Sequence, residues 1–156
     1  MTSNYNEAVS DWSIVSQNPN DFKLMVTRYQ QANPDRFENT ALPFTICDYG
    51  CTDGGTSVPA LKVIITAVRD LSPAMPVQVY LNDLPECRFD KTIDTVTKGL
   101  KLETELSNVF LMASGKDYTT QVFPRKSIDI GFSTLACMII SHPPAPITDN
   151  IFYIPS

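Results

Sequence analysis

An α/β fold, with parallel strands and flanking helices, is predicted by three observations. Strand-like and helix-like segments alternate along the chain, and repeated strand, helix, strand units require right-handed crossovers and parallel pairing. The run Phe44-Thr45-Ile46-Cys47-Asp48-Tyr49-Gly50-Cys51-Thr52-Asp53-Gly54-Gly55-Thr56-Ser57 reads as a buried strand breaking into a glycine-rich loop. The length of 156 residues suits one domain, for which about 100 to 150 is usual. With 43% hydrophobic and 19% charged residues, the chain can bury a core.

The elements follow in order. Asn20 or Asp21 can cap a first helix bearing Phe22, Met25, Val26 and Tyr29 at i, i+3, i+4 and i+7, and Asn33-Pro34 ends it. That helix lies outside the sheet, and residues 1–41 are expected as an N-terminal helical segment ahead of a sheet domain over 42–156. Leu42 to Tyr49 forms the first strand. Thr56 or Ser57 caps the next helix, which has Pro59 in its first turn and Leu61, Ile64, Ile65, Val68 and Leu71 on one face. Ser72-Pro73 stops it. Val77 to Leu81 is the second strand, followed by a turn at Asn82-Asp83-Leu84-Pro85 and a helix built on Phe89, Ile93, Val96 and Leu100. Asn108 to Met112 is the third strand. A polar loop with Lys116, Asp117 and Tyr118 leads through Phe123-Pro124 to a fourth strand, Ser127 to Gly131, and a short apolar helix from Ser133 to about Ile140. His142 to Ser156 contains four prolines and should be loop or edge structure.

Ligands of such sheets sit beyond the carboxyl ends of the strands, where strand order reverses. Asp48, Asp83 and the loop from Ser114 to Tyr118 fall at those ends. A loop that offers its N–H groups to pyrophosphate should carry no carboxylate, yet Asp48 and Asp53 bracket this one. Hydroxyls, an amino group or a sulfonium would meet those carboxylates favourably, and S-adenosylmethionine offers all three. Asp83 follows Asp48 by one βαβ unit, the place of a carboxylate that grips ribose hydroxyls; as an alternative it caps the turn before Pro85. A nicotinamide-dependent dehydrogenase is disfavoured, because Gly-x-Gly-x-x-Gly is missing and Asp53 stands where pyrophosphate would lie.

Composition excludes other classes. A net charge of −5 argues against a nucleic-acid groove. No apolar run approaches the roughly 20 residues that cross a bilayer, and Met1 to Glu7 has neither the basic nor the apolar part of a secretory signal. A cytoplasmic protein without membrane or nucleic-acid partners is expected. Cys47, Cys51, Cys87 and Cys137 form no C-x-x-C pair, so reduced, partly buried thiols are expected rather than a zinc knuckle, with no metal ligands assigned. His142, the single histidine, reads as a loop residue beside Pro143-Pro144, and the absence of Gly-x-Ser-x-Gly disfavours a hydrolase.

Three motifs in order, Asp48 to Thr56, Leu81-Asn82-Asp83-Leu84-Pro85, and Phe123-Pro124-Arg125-Lys126-Ser127-Ile128-Asp129, resemble those of the SABATH carboxyl methyltransferases. The resemblance runs from about Pro43 to Pro144. It implies a Rossmann-like methyltransferase fold that binds S-adenosylmethionine and methylates the carboxylate of a small acid. In its terms Asp48, Gly50, Gly54 and Thr56 belong to the cofactor pocket, Asp83 and Leu84 hold the ribose and flank the adenine, and Asp117-Tyr118 stand where the family has a Ser-Phe step against the adenosyl group. No catalytic side chain is implied, since the acceptor is already an anion.

The departures lie on the acceptor side. Where the family shows a Ser-Tyr-Ser-Leu-His-Trp type run, this chain has Ser133-Thr134-Leu135-Ala136-Cys137-Met138-Ile139. Leu135, Met138 and Ile139 thus replace polar or aromatic substrate contacts and imply a greasier acceptor or a silent substrate half. The family's N-terminal Tyr, Ser and Gln are matched loosely by Tyr5, Ser13 and Gln17, which makes Gln17 a candidate substrate residue. Family members are far longer and continue with further strands and a helical cap. A partial sheet lacking them is expected to expose an apolar edge at the fourth strand and to pair with a second copy, so a non-catalytic binding or interaction protein is the alternative function.

Overall fold

The computed structural model describes residues 19–134 and 136. Helix α1 spans Pro19–Ala32 and a short helix α2 Pro34–Glu38; strand β1 (Phe44–Tyr49) leads to α3 (Ser57–Leu71), β2 (Val77–Asp83) to α4 (Phe89–Leu100), and β3 (Val109–Gly115) precedes β4 (Ile130–Phe132). All pairings are parallel, in the order β3-β2-β1-β4. The chain therefore steps outward from β1 to β3 and then returns to the far side of β1. The reversal falls between β1 and β4, which makes their carboxyl ends the switch point.

Strand alternation divides the sheet into two unlike faces. Phe44 and Ile46 of β1, Val77, Val79 and Leu81 of β2 and Ile130 of β4 join Val26 of α1, Leu61, Ile64, Ile65 and Val68 of α3, and Val96 and Leu100 of α4 in one buried cluster. Helices α1, α3 and α4 all cover this face. The opposite face carries Cys47, Tyr49, Gln78, Tyr80, Asn82, Phe110 and Met112. There the crossing from β3 to β4 lays Phe123 against Tyr80, with ring centroids 4.7 Å apart, and against Tyr49 at 6.3 Å. Phe110 and Met112 remain about half exposed. The exposed apolar pair thus sits on the face of β3, and β4, the outer strand of the sheet among the described residues, buries Ile130 against the cluster.

Several local expectations are corrected. Asn20 and Asp21 lie within the first turn of α1 rather than before it. Pro34 opens α2 as well as closing α1, using a proline's preset φ at the first helical position. Neither Thr56 nor Ser57 caps α3: Thr56 is in the N-cap position with helical dihedrals and no capping bond, and Ser57 turns to Asp48 instead. Asn82 and Asp83 are the last residues of β2, not turn residues, because Asn82 and Asp83 pair in register with Ser114 and Gly115 of a β3 that runs three residues longer than expected. Strand β4 is shorter and starts later, at Ile130, since Ser127 N–H donates to Pro124 O in a preceding turn.

One carboxylate ties the open end of the sheet together. Asp129 Oδ1 accepts from Tyr29 Oη at 2.6 Å and Arg36 Nε at 2.9 Å; its Oδ2 accepts from Arg36 Nη2 at 2.9 Å, Thr45 N at 2.8 Å and Thr45 Oγ1 at 2.9 Å. Arg36 also donates to the Pro43 carbonyl and lies 5.5 Å from the Phe44 ring centroid. Asp129 thereby joins α1, α2, β1 and the approach to β4.

Candidate functional site

The parallel register brings Asp48 and Tyr49, Asn82 and Asp83, Ser114 and Gly115, and Phe132 to one rim of the sheet. Asp48 ends the buried side of β1 and is fully buried. Ser57, at the start of α3, donates Oγ–H to its Oδ2 at 2.5 Å. Its Oδ1 has no hydrogen-bond partner among the described residues. Burial pushes the carboxyl up to about 7; the Ser57 bond pulls the other way, and the charge of Asp83 adds to the rise.

The loop after Asp48 is held open by its neighbours. Gly50 lies at φ +81°, a conformation open to glycine, and a Cβ there would overlap the Cβ of Ala136. Gly50 and Cys51 both donate N–H to the Asn82 carbonyl, at 2.8 and 3.1 Å. Thr52 adopts φ +47°, which is strained for a β-branched residue. Three bonds fix it: its N–H donates to Asp83 Oδ2 at 2.7 Å, and its carbonyl accepts from Thr92 Oγ1 at 2.6 Å and Cys87 Sγ at 3.2 Å. Asp83 also accepts from Leu84 N at 2.8 Å through Oδ1. Asp83 is therefore a local cap, and it stands half-buried at the rim of the sheet.

Some predicted residues serve the scaffold. Gly54, at φ +83°, lies so close to α4 that a Cβ would come within 3.0 Å of the Thr92 carbonyl oxygen and 2.7 Å of Val96 Cγ2. Asp53 Oδ1 accepts from Gly55 N at 3.0 Å and stays exposed, so it shapes its own turn rather than the pocket. Asp117 likewise accepts from Thr119 N at 2.8 Å in an exposed turn. Thr56 Oγ1 lies 3.3 Å from Thr134 Oγ1, and Tyr118 Oη donates to the Ala136 carbonyl. The turn after β4 is thus drawn over the glycine loop from both sides. Leu84 is half exposed beside Asp83. Gln17, Leu135, Met138 and Ile139 lie outside the described residues, as do Tyr5, Ser13 and His142.

Sequence reasoning missed Asn82. It is fully buried, donates Nδ2–H to the Ser114 and Lys116 carbonyls at 2.9 and 2.7 Å, and through its own carbonyl holds the glycine loop. The signal was its place beside Asp83, but a turn reading hid it. On the opposite face, a cleft of about 280 Å³ is lined by Tyr49, Tyr118, Gln121, Phe123 and Ile128 among others. It contains Tyr118 of the predicted set and neither Asp48 nor Asp83.

The family model described as SAM dependent carboxyl methyltransferase matches residues 26–153. The chain belongs to that family. This methyltransferase-family chain is 27% identical over 109 residues to methyltransferase FUS9 of Gibberella fujikuroi, covering 68% of the chain and 30% of the relative. It is 30% identical over 117 residues to a probable S-adenosylmethionine-dependent methyltransferase, At5g38780, of Arabidopsis thaliana, covering 69% and 31%. Its fold matches that of a loganic acid methyltransferase solved with SAH, with a TM-score of 0.63, 20% identity, and 80% and 34% of the two chains covered. The family chain spans about a third of the length of these relatives. Among the described residues no helix is long and apolar enough to cross a membrane.

Proposed function

We propose that this chain binds S-adenosylmethionine at the carboxyl ends of β1 and β2 and serves methyl transfer to the carboxylate of a small-molecule acid. The observation that carries the reading is Asp48, a fully buried carboxylate with one oxygen unpartnered among the described residues. A buried carboxylate in that condition is costly, and a cationic ligand group reaching Oδ1 would relieve it. The cofactor's ammonium and sulfonium are such groups. Asp83 accepts two N–H bonds, and each carboxylate oxygen keeps a further lone pair for a ribose hydroxyl. The strained Thr52 loop is already fixed by Asp83, Thr92 and Cys87, so little ordering remains for the ligand to bring about. When bound, the cofactor supplies an electrophilic methyl group. What the protein would add is a site that holds the acceptor beside the cofactor and shelters both from water; a carboxylate acceptor needs no general base. The free thiols of Cys47, Cys51 and Cys87 support a reducing, cytoplasmic setting for this chemistry.

The test is calorimetric titration with S-adenosylhomocysteine, with NAD as control. Saturable binding of S-adenosylhomocysteine alone is expected. Asp83→Ala should weaken it about 100-fold or more, because two hydrogen bonds to a charged acceptor are at stake, each about 1.5 to 3 kcal/mol. Asp83→Asn, which retains one carbonyl oxygen for the Thr52 N–H and gives up the exposed Leu84 bond, should still fold and lose most of the same affinity. No binding by the parent, or unchanged affinity in a folded Asp83→Asn, would overturn the assignment.

A further inference from the structure

The topology gathers two thiols that the methyl-transfer reading leaves without a ligand role beside Asp83, a carboxylate that reading also uses. Cys51 and Cys87 are 36 positions apart in the chain. The bonds that fix Thr52 nevertheless draw the loop after β1 onto the turn before α4, and the Cys51 Sγ, Cys87 Sγ and an Asp83 carboxylate oxygen come to lie within 4.8 Å of one another. We propose that Cys51, Asp83 and Cys87 form a binding site for one thiophilic divalent cation of the zinc class.

The geometry suits that ion. Tetrahedral sites with metal–sulfur bonds of about 2.3 Å and metal–oxygen bonds of about 2.0 to 2.2 Å place their donors roughly 3.5 to 3.8 Å apart, so the three atoms need to close by no more than about an ångström. Cys51 is fully buried while Asp83 and Cys87 are half-buried, which gives a dry floor and a path of entry. Three protein donors leave a fourth position for water or a ligand atom, the pattern of an open site rather than a closed structural one. The charge also fits. Asp48, Asp83 and Asp53 surround the thiols, and the nearest cation in sequence, Arg88, is exposed and paired with Asp90 at 2.8 Å. The carboxylate charge beside the thiols attracts a divalent cation. Binding forms two metal–sulfur bonds and one metal–oxygen bond, and the two thiol protons pass to solvent. No oxidant or reductant is involved.

The experiment is a titration of the reduced full chain with cadmium chloride, followed by the ultraviolet thiolate-to-metal charge-transfer band. A band equivalent to two thiolates, saturating at one cation per chain and displaced by zinc, is expected. Cys87→Ser should halve the band and weaken binding at least about tenfold, the least that losing even an outer partner of a ligand costs, whereas Cys47→Ser, on the opposite face of the sheet, should change neither. In the parent chain, mass-spectrometric mapping should show cadmium slowing the alkylation of Cys87 by iodoacetamide, a readout that needs no variant to fold. Absence of the band, a full band in Cys87→Ser, or unslowed alkylation of Cys87 would overturn the proposal. None of these readouts depends on S-adenosylhomocysteine binding, so failure of the metal site is distinguishable from failure of the cofactor site, although both use Asp83.

Discussion

Replacing Asp129 by alanine is expected to destabilise the chain by about 3 to 5 kcal/mol, the usual result of removing one partner from a largely buried ion pair. The side chain of Asp129 is 12% exposed and that of Arg36 20%, so the guanidinium left behind is mostly shielded from water. The substitution also strands the Tyr29 hydroxyl and the Thr45 N–H, which donate to the same carboxylate at 2.6 and 2.8 Å. Burial alone would push this carboxyl up, but the bonds from Arg36, Tyr29 and Thr45 outweigh it and hold it below the ordinary range. A folded-state value below the unfolded one means stability that is present above about pH 4 and is lost as pH falls through the folded value. Urea unfolding of parent and variant should therefore give midpoints far apart at pH 7 that converge in acid. A difference under about 1 kcal/mol at pH 7 would show that the cluster is ornamental to the fold.

Asp129 was visible in the sequence only as the last residue of a motif, because nothing local distinguishes a hub from a surface aspartate. Its partners Tyr29, Arg36 and Thr45 are 84 to 100 positions away along the chain, and only the pairing of β4 beside β1 brings them together. Elements whose signals are local were legible. Of the α3 face read as Leu61, Ile64, Ile65, Val68 and Leu71, the first four are buried and Leu71, the last residue of the helix, is exposed. Phe89, Ile93, Val96 and Leu100 likewise recur on the packed side of α4. Strand ends were less legible, since Asn82 and Asp83 favour turns in isolation and stay extended here because β3 supplies partners as far as Gly115. The same limit applies at the site. Asp48 and Asp83 could be placed at the rim from strand order alone, whereas the role of Asn82 as a clamp and of Ser57 as the partner of Asp48 depends on tertiary contacts. Thr56, expected to cap α3 or touch the cofactor, faces Thr134, a residue that no local pattern connects to it.

Asp48→Asn should make the chain more stable at neutral pH and a poorer binder of S-adenosylhomocysteine. The Asp48 carboxyl titrates at about 7 in the folded chain against about 3.9 when unfolded. A raised value reverses the sign found at Asp129: its contribution to stability is fully present below about pH 4 and is lost as pH climbs through 7, at up to about 1.4 kcal/mol per pH unit. Asparagine does not titrate, keeps an oxygen for the Ser57 hydroxyl, and sets a neutral amide at Oδ1, which has no partner among the described residues. The amide's own unmet donor offsets part of the gain, which leaves about 1 to 3 kcal/mol in favour of the variant at pH 8. Because the Asp129 window lies below pH 4 and the Asp48 window above it, denaturation between pH 4 and 8 isolates the second group: the parent should lose stability across that range and Asp48→Asn should stay level. Parallel profiles would mean that Asp48 is ionised at no cost and that its site needs no cation. The ligand readout should move the other way, with affinity falling about 10- to 150-fold for the loss of one charge-assisted bond to the ammonium. On the proposed reading both shifts have one cause: a cation that reaches the buried carboxylate stabilises the ionised form, which is costly on its own.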